Sequence, residues 1–277
     1  MKYNNIFLVT GAAGNIGSSL VNQLIKNEKN YIYAVDNLIT GKKKKLLIPK
    51  QNLEFIKMDV NEKSQFQKIN KIKKIHYVFH FAALVGVERT LKNPFDVLND
   101  IEGYKNILNL CKKHKVKRVF FSSSSEVYGE SVKFPQREID TPLNSRLPYS
   151  VVKNLGEIYF KTYQKKFNID YTIFRFFNTY GPNQSDDFVV SRFIKRAMKN
   201  QDIEIYGILT DTDYNLVRAK PQYSPTFPSP EDYEKGMFVR YFVCKINQLE
   251  YLEINKETYD NIFTQNKIWM WENYVPF

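Results

Sequence analysis

A short apolar run, Ile6-Phe-Leu-Val9, breaks at once into Thr10-Gly11-Ala-Ala-Gly14-Asn-Ile-Gly17, and apolar residues then recur at Ile16, Leu20, Val21, Leu24 and Ile25. The run has the continuous hydrophobicity of a strand buried on both faces, and the spacing after it is helical. Strand, glycine turn and helix in that order commit the chain to an open α/β sheet whose first crossover starts here. Glycines at these positions allow a tight turn, let backbone approach a pyrophosphate, and let helix and sheet pack closely. The pyrophosphate would meet free amides at the helix N-terminus. Gly11, Ala13, Gly14, Asn15, Ile16 and Gly17 are therefore the candidate cradle of a dinucleotide.

The next run, Tyr31-Ile-Tyr-Ala-Val35, ends in Asp36, 19 positions after Gly17. An acid at that distance reads ribose hydroxyls. Because a carboxylate repels a 2′-phosphate, NAD is expected over NADP. The lysines at 42–45 would argue the other way, but they are read as a solvated loop.

The strand–helix rhythm then continues. Leu53-Glu-Phe-Ile-Lys-Met58 reads as a third strand ending at Asp59 and Val60, which could flank an adenine. Residues 75–81 read as a fourth, opening into Phe81, Ala82 and Ala83, small enough at the end to leave room for a cofactor. A helix is expected over 96–114, a fifth strand over 116–121, a helix over 149–167 opened by Pro148, and a sixth strand over 171–177. Alternation of this kind means a parallel, doubly wound sheet, whose ligands bind beyond the carboxyl ends of the strands. Gly11, Asp36, Asp59, Ala82, Ser124 and Asn178 all fall at such ends.

One helix carries a chemical pair. Tyr149 and Lys153 stand four apart, so they share a helix face. Ser124 lies at the end of a strand 25 positions before Tyr149. A lysine ammonium beside the phenol is expected to favour the phenolate. Such a group can take a proton from a hydroxyl while a hydride leaves the same carbon.

Composition sets outer bounds. With 277 residues and 43% hydrophobic content, the chain can bury one large or two small cores. No run approaches the roughly 18 apolar residues of a membrane span. Cys111 and Cys244 are the only cysteines, which makes no disulfide framework. The first apolar run stops at Gly11, unlike a secretory signal, so the cytoplasm is the expected location. His76, His80 and His114 have no metal-ligand spacing, and no metal is expected. The net charge of +12 comes from lysines spread along the whole chain without interleaved aromatics. It is read as a solvated surface with a bias toward anionic substrates, not as a nucleic-acid face.

Six stretches carry a family resemblance. They are Gly11-Ala-Ala-Gly14-Asn-Ile-Gly17, Val35-Asp36-Asn37, His80-Phe-Ala-Ala83, Ser122 to Gly129, Tyr149-x-x-x-Lys153, and Arg175-Phe-Phe-Asn178-Thr-Tyr-Gly-Pro182. Together they make residues 1–207 resemble the extended short-chain dehydrogenase/reductase family, the NAD-dependent epimerases and dehydratases of nucleotide sugars. The resemblance implies an NAD(P)-binding Rossmann fold, bound NAD, and a nucleotide diphosphate sugar, UDP-linked, oxidised transiently at C4. Tyr149 would be the base, and Lys153 would tune it and hold the nicotinamide ribose. Ser124 would bind the reacting hydroxyl, with Ser125 beside it, and Asn178 would touch substrate. Phe176 and Phe177 would wall the nicotinamide, and Asn37 would join Asp36 in the cofactor set. Glu126, in Ser-Glu-Val-Tyr-Gly, resembles the UDP-glucuronate decarboxylases, where such a glutamate assists after the C4 ketone forms. The family also implies a homodimer paired through the helices at 96–114 and 149–167.

The resemblance stops near Gly207. In the family a glycine-rich turn, an Arg-x-Phe-x-x-Val-x-Asp stretch and roughly 100 further residues complete the substrate lobe. Here 208–235 reads as a proline-rich linker and 236–277 as a small α+β module, with a hairpin expected between 237–244 and 249–254. Asp100, three before Gly103, stands where the family has Asn. The expected architecture is thus a Rossmann domain with a truncated substrate lobe and an atypical tail. An inactive cofactor-binding remnant fused to a structural or binding module stays open beside the enzyme readings.

Overall fold

A computed structural model describes residues 3–69, 71–129, 136–199, 201, 203–209 and 238–244. Two compact units divide the chain, Met1–Ser185 and Asp186–Phe277.

In the first unit, β1 (Asn5–Thr10) leads through the glycine turn into α1 (Asn15–Leu24), succeeded by β2 (Asn30–Asp36), β3 (Leu53–Lys57) and β4 (Tyr77–His80). Then come α2 (Val87–Lys92), α3 (Pro94–His114), β5 (Arg118–Ser124), α4 (Pro148–Phe167) and β6 (Tyr171–Phe176). The six strands form one sheet in the order β3-β2-β1-β4-β5-β6, every neighbouring pair parallel. The chain builds outward from β1 to β3 and then crosses to the other side at β4. The strand order therefore reverses between β1 and β4, the place where such sheets open a binding crevice.

Local chemistry accounts for the ends of the long helices. Proline stands at the first turn of both α3 and α4, where a missing N–H costs nothing. Both helices stop at a left-handed residue, Lys115 (φ 48°) and Asn168 (φ 54°). Strand β5 runs three residues past the stretch expected from hydropathy, because Ser122, Ser123 and Ser124 pair with Phe174, Arg175 and Phe176 of β6. This extension carries the serines to the sheet's carboxyl edge. The six-residue helix α2 begins after Gly86 (φ 103°), a turn that the apolar pattern does not announce.

Two cores hold the layers. On one face, Leu8, Val78, Val119 and Phe121 of the sheet meet Tyr104, Ile107 and Leu108 of α3 and Val152 and Phe160 of α4. Phe121 stacks on Phe160 at 4.6 Å between centroids and meets the edge of Tyr104 at 5.1 Å. On the other face, Phe7, Val9, Ile32 and Ala34 pack against Val21 of α1. No helix among the described residues is long and apolar enough to cross a membrane. Cys111 is free and buried, and burial pushes its thiol up.

In the second unit, α5 (Val189–Met198) precedes β7 (Ile203–Leu209) and β8 (Phe238–Cys244), which pair antiparallel. The strand expected over 237–244 thus finds its partner in β7. The linker expected over 208–235 starts later than expected, because Ile208 and Leu209 belong to β7 and pair with Val239 and Phe238; its remainder at 210–235, residues 249–254 (the expected hairpin partner) and most of the tail lie outside the described residues.

Phe121 is fully buried between two helices. Phe121→Ala is expected to cost about 3–5 kcal/mol, seen as a lower denaturant midpoint with unchanged slope. Lys71→Ala breaks only a surface pair with Glu54 and is expected to change stability by about 0–1 kcal/mol.

Candidate active site

The glycine turn is packed too closely for side chains. A Cβ on Gly11 would lie 2.8 Å from the backbone of Phe81 and Ala82, and Gly11 itself has φ 66°. A Cβ on Gly17 would lie 2.1 Å from the Gly11 carbonyl oxygen. Helix α1 begins with no side-chain cap and no acid in its first turn, so its N-terminal amides face an approaching anion unopposed. This cradle fits a dinucleotide pyrophosphate.

Asp36, at the end of β2, is buried and bonded to the turn. Its Oδ2 accepts from Ala13 N at 2.9 Å and its Oδ1 from Leu38 N at 2.8 Å. A Cβ on Gly41 would approach its carboxylate to 2.6 Å, so glycine there keeps the loop tight over Asp36. Asn37 Nδ2 donates to Asp59 Oδ2 at 2.9 Å, linking the ends of β2 and β3. Val60 is buried beside Gly103 of α3. At the reversal point Thr10 Oγ1 lies 2.8 Å from His80 Nδ1 and accepts from Phe81 N and Ala82 N, both at 3.2 Å. Asn15 and Ile16 open α1, Ala82 and Ala83 follow the end of β4, and Phe81 meets the edge of Phe176 at 6.0 Å.

The candidate reacting groups converge at the end of β5. The Ser124 hydroxyl stands close enough to the Tyr149 phenol to oppose the upward push of burial on it. The same hydroxyl accepts from Glu126 N at 3.2 Å, capping a 3-10 turn over Ser125–Tyr128. Lys153 is buried one turn further along α4 from Tyr149. Its Nζ donates to Ser122 O at 2.8 Å and lies 5.7 Å from the Tyr149 ring centroid. Asn178 lies two residues past β6, and Phe177 beside it is exposed.

The ionisation of the pair differs from the sequence expectation. Burial pushes the Tyr149 phenol up; the hydrogen bond from Ser124 opposes this, and the charges of Glu126 and Asp100 reinforce it. Burial also pushes Lys153 down, to about 8, against the pull of Asp100. The lysine therefore does not by itself produce a phenolate, since both groups sit in a poorly hydrated interior that penalises either charge. Glu126 is half-buried, and burial raises its carboxyl too.

A second polar network braces the turn. Glu157, one turn past Lys153 on α4, accepts from Ser123 Oγ at 2.7 Å and from Arg175 Nε and Nη2, both at 2.8 Å. Arg175 also donates to the Tyr128 hydroxyl at 3.0 Å and lies over its ring at 4.9 Å. Burial alone would raise the Glu157 carboxyl, but the Arg175 and Ser123 hydrogen bonds hold it below the usual range. Removing one partner of such a buried pair costs about 3–5 kcal/mol. Sequence reasoning reaches Arg175 only within a motif and misses Glu157. The signal for it is an acid at the i+4 position from Lys153, on the same buried face.

Residues 7–218 match the NAD dependent epimerase/dehydratase family. UDP-glucuronate 4-epimerase of Thermodesulfobacterium geofontis is 34% identical over 211 residues, covering 73% of this chain and 64% of that protein. UDP-glucuronic acid decarboxylase 6 of Arabidopsis thaliana is 35% identical over 218 residues, covering 76% and 61%. A solved structure of UDP-N-acetylglucosamine 4-epimerase from Methanobrevibacter ruminantium M1, in complex with UDP-N-acetylmuramic acid, superposes with a TM-score of 0.66 at 35% identity, covering 73% of this chain and 64% of that one. The chain thus spans a little under two thirds of the length of these relatives. Its Rossmann sheet, its glycine cradle with Asp36, and the match over most of its length agree: the chain belongs to the NAD dependent epimerase/dehydratase family, whose cofactor is NAD.

Proposed function

We propose that this chain is a nucleotide-sugar epimerase/dehydratase that transiently oxidises C4 of a UDP-linked sugar, with Tyr149 as the base. The observation that carries this reading is the meeting of Ser124 and Tyr149 at the end of β5, with Lys153 buried beside them and bonded to Ser122 O. The glycine turn and Asp36 would hold NAD, which would supply the hydride acceptor. Ser124 would orient the sugar hydroxyl toward Tyr149, whose phenolate would take the hydroxyl proton and hold it for return. A phenol raised by burial makes a strong base once ionised, and Lys153 is the buried cation at hand to stabilise that charge. Asn178, beyond β6, and Ser125, opening the 3-10 turn, are assigned to substrate. The UDP-sugar names of the relatives support the nucleotide diphosphate as the recognised group.

Tyr149→Phe tests this directly. Turnover of UDP-glucose or UDP-glucuronate is expected to fall by at least about 100-fold with NAD affinity kept. Wild-type rates in that variant would sink the mechanism. NAD binding by the wild-type protein without turnover of any UDP-sugar would favour the cofactor-binding remnant instead.

A second reading has its own observation. Burial raises the Glu126 carboxyl, two residues from Ser124, which favours its holding and delivering a proton. That supports a UDP-glucuronate decarboxylase-like outcome after oxidation. Incubation with UDP-glucuronate is then expected to release carbon dioxide and a UDP-pentose, both lost in Glu126→Gln. Inversion at C4 without carbon dioxide would exclude it.

A homodimer through α3 and α4 is part of the same proposal. Phe95 and Leu98 on α3 and Val151 and Ile158 on α4 are large, apolar and exposed. Sedimentation is expected to show a dimer that Ile158→Lys converts to a monomer; a wild-type monomer would remove this part.

A further inference from the structure

We propose that the amino edge of the sheet, where β4, β5 and β6 begin, is a docking face for an anionic membrane surface, held by lysines and without insertion into the bilayer. The inference is independent of the catalytic reading above.

The lysines are spread along the sequence, but the fold gathers them. Lysine-rich stretches directly precede three strands: residues 71–74 before β4, 112–117 before β5 and 165–166 before β6. Because the sheet is parallel throughout, all strand starts fall on one edge, and β4, β5 and β6 are neighbours there. Adjacent strands lie about 4.8 Å apart, so the three entry loops make one surface. Lys73, Lys113, Lys115, Lys117, Lys165 and Lys166 are exposed on it. Lys74 Nζ donates to His114 O at 3.1 Å and Lys117 N to His76 O at 2.8 Å, which ties the first two loops together. Lys112 at the end of α3 and Lys166 at the end of α4 lie 4.2 and 5.5 Å from the centre of the Phe167 ring, which joins the third. That puts their ammoniums within about 10 Å of each other, one Debye length at roughly 0.1 M salt, so they act jointly on an approaching anion.

Little on these loops offsets the charge. Asp170 pairs with Arg118 at 3.4 Å and Glu54 with Lys71 at 3.3 Å, each against one base. Burial pushes the His76 and His114 imidazoles down; Lys117 and Lys74 add to it at His76, Lys113 and Lys74 at His114.

The chemistry of the face selects among anionic partners. Its bases are mostly lysines, compact point charges, and the fork of Arg118 is taken by Asp170, Tyr171 O and Thr172 Oγ1 rather than offered to a base edge. The rings of Phe167 and Tyr77 lie under Lys112 and Lys117, which keeps them from stacking on nucleobases. Protein interfaces deplete lysine and bury an apolar centre. Among the described residues the large exposed apolar side chains lie away from these loops, as Phe95 at the start of α3 and Ile158 midway along α4 do. Lipid headgroups require neither fork, ring nor apolar pocket, and clusters of about four to eight lysines suffice to hold a protein at them. The cofactor cradle stands at the opposite, carboxyl edge, so a chain docked in this way turns its crevice toward solution.

Co-sedimentation of the full chain with vesicles tests the proposal. At about 0.1 M salt the protein is expected to pellet with phosphatidylcholine vesicles containing about one third phosphatidylglycerol, not with phosphatidylcholine alone, and to be released as salt rises to about 0.5 M. Lys73→Glu combined with Lys117→Glu is expected to weaken binding at least about tenfold. Lys43→Glu combined with Lys44→Glu, an equal change of net charge in the loop after Asp36, is expected to weaken it by less than about threefold. Equal loss in the two double variants overturns the proposal, as does failure to bind the anionic vesicles or equal binding to neutral ones. Acetylation of the wild-type protein read by mass spectrometry needs no variant: anionic vesicles are expected to slow it at Lys113, Lys115 and Lys166 and not at Lys43 or Lys44, and uniform or reversed protection overturns the docking face. Mixed-sequence RNA that strips the protein from the vesicles at equal phosphate concentration would assign the face to nucleic acid and overturn the membrane reading. None of these readouts depends on turnover or on NAD, so they stand whatever becomes of the proposed reaction.

Discussion

The contact on which the rest depends is the packing of the Gly11 turn against the backbone at Phe81 and Ala82, too close for any Cβ. It lies where the strand order reverses between β1 and β4. Thr10, the last residue of β1, satisfies two amides of the strand across that gap through its hydroxyl. The two sides of the reversal point are thus hydrogen-bonded at their root. Asp36 closes the turn from the other side. A cradle assembled from backbone in this way needs no side chain to bind an anion, which leaves the side chains of β5 and α4 for chemistry.

Those side chains sit in an interior that disfavours charge. Tyr149 and Lys153 both lose by being buried, in opposite directions. A tyrosine and a lysine at i and i+4 share a face whatever the protein, but whether the phenol ionises depends on hydration and on neighbours brought in by α3 and the Ser124 turn. Sequence spacing predicts the juxtaposition and not the sign of the shift.

The same distinction separates what is legible in the sequence from what is not. The glycine turn, Asp36, the six strands and the helix bearing Tyr149 are readable because each is a local pattern, a period of apolar residues ended by a turn residue. The serines at the end of β5 are placed correctly as a group, although the strand reaches Ser124 only through pairing with β6. Glu157, Arg175, Tyr128 and Ser123 are not legible as a unit, since four separate elements must fold before they meet. Asp100 is visible as an acid in place of an amide, but its burial and its partners Leu84 and Asn61 require the fold. Helix α2 is too short for its periodicity to be read against a loop.

The brace between Glu157 and Arg175 has a consequence for how such a chain can change over generations. It anchors the 3-10 turn through Ser123 and Tyr128, residues on either side of Glu126, while Glu126 bears none of that load. The groups proposed to carry the oxidation lie on α4 and at the end of β5, held by their own contacts. On the proposed reading, substitution at Glu126 would redirect the fate of the oxidised sugar while the scaffold beneath it stays put, so a new product could evolve from an old first step without a passage through an unfolded intermediate sequence.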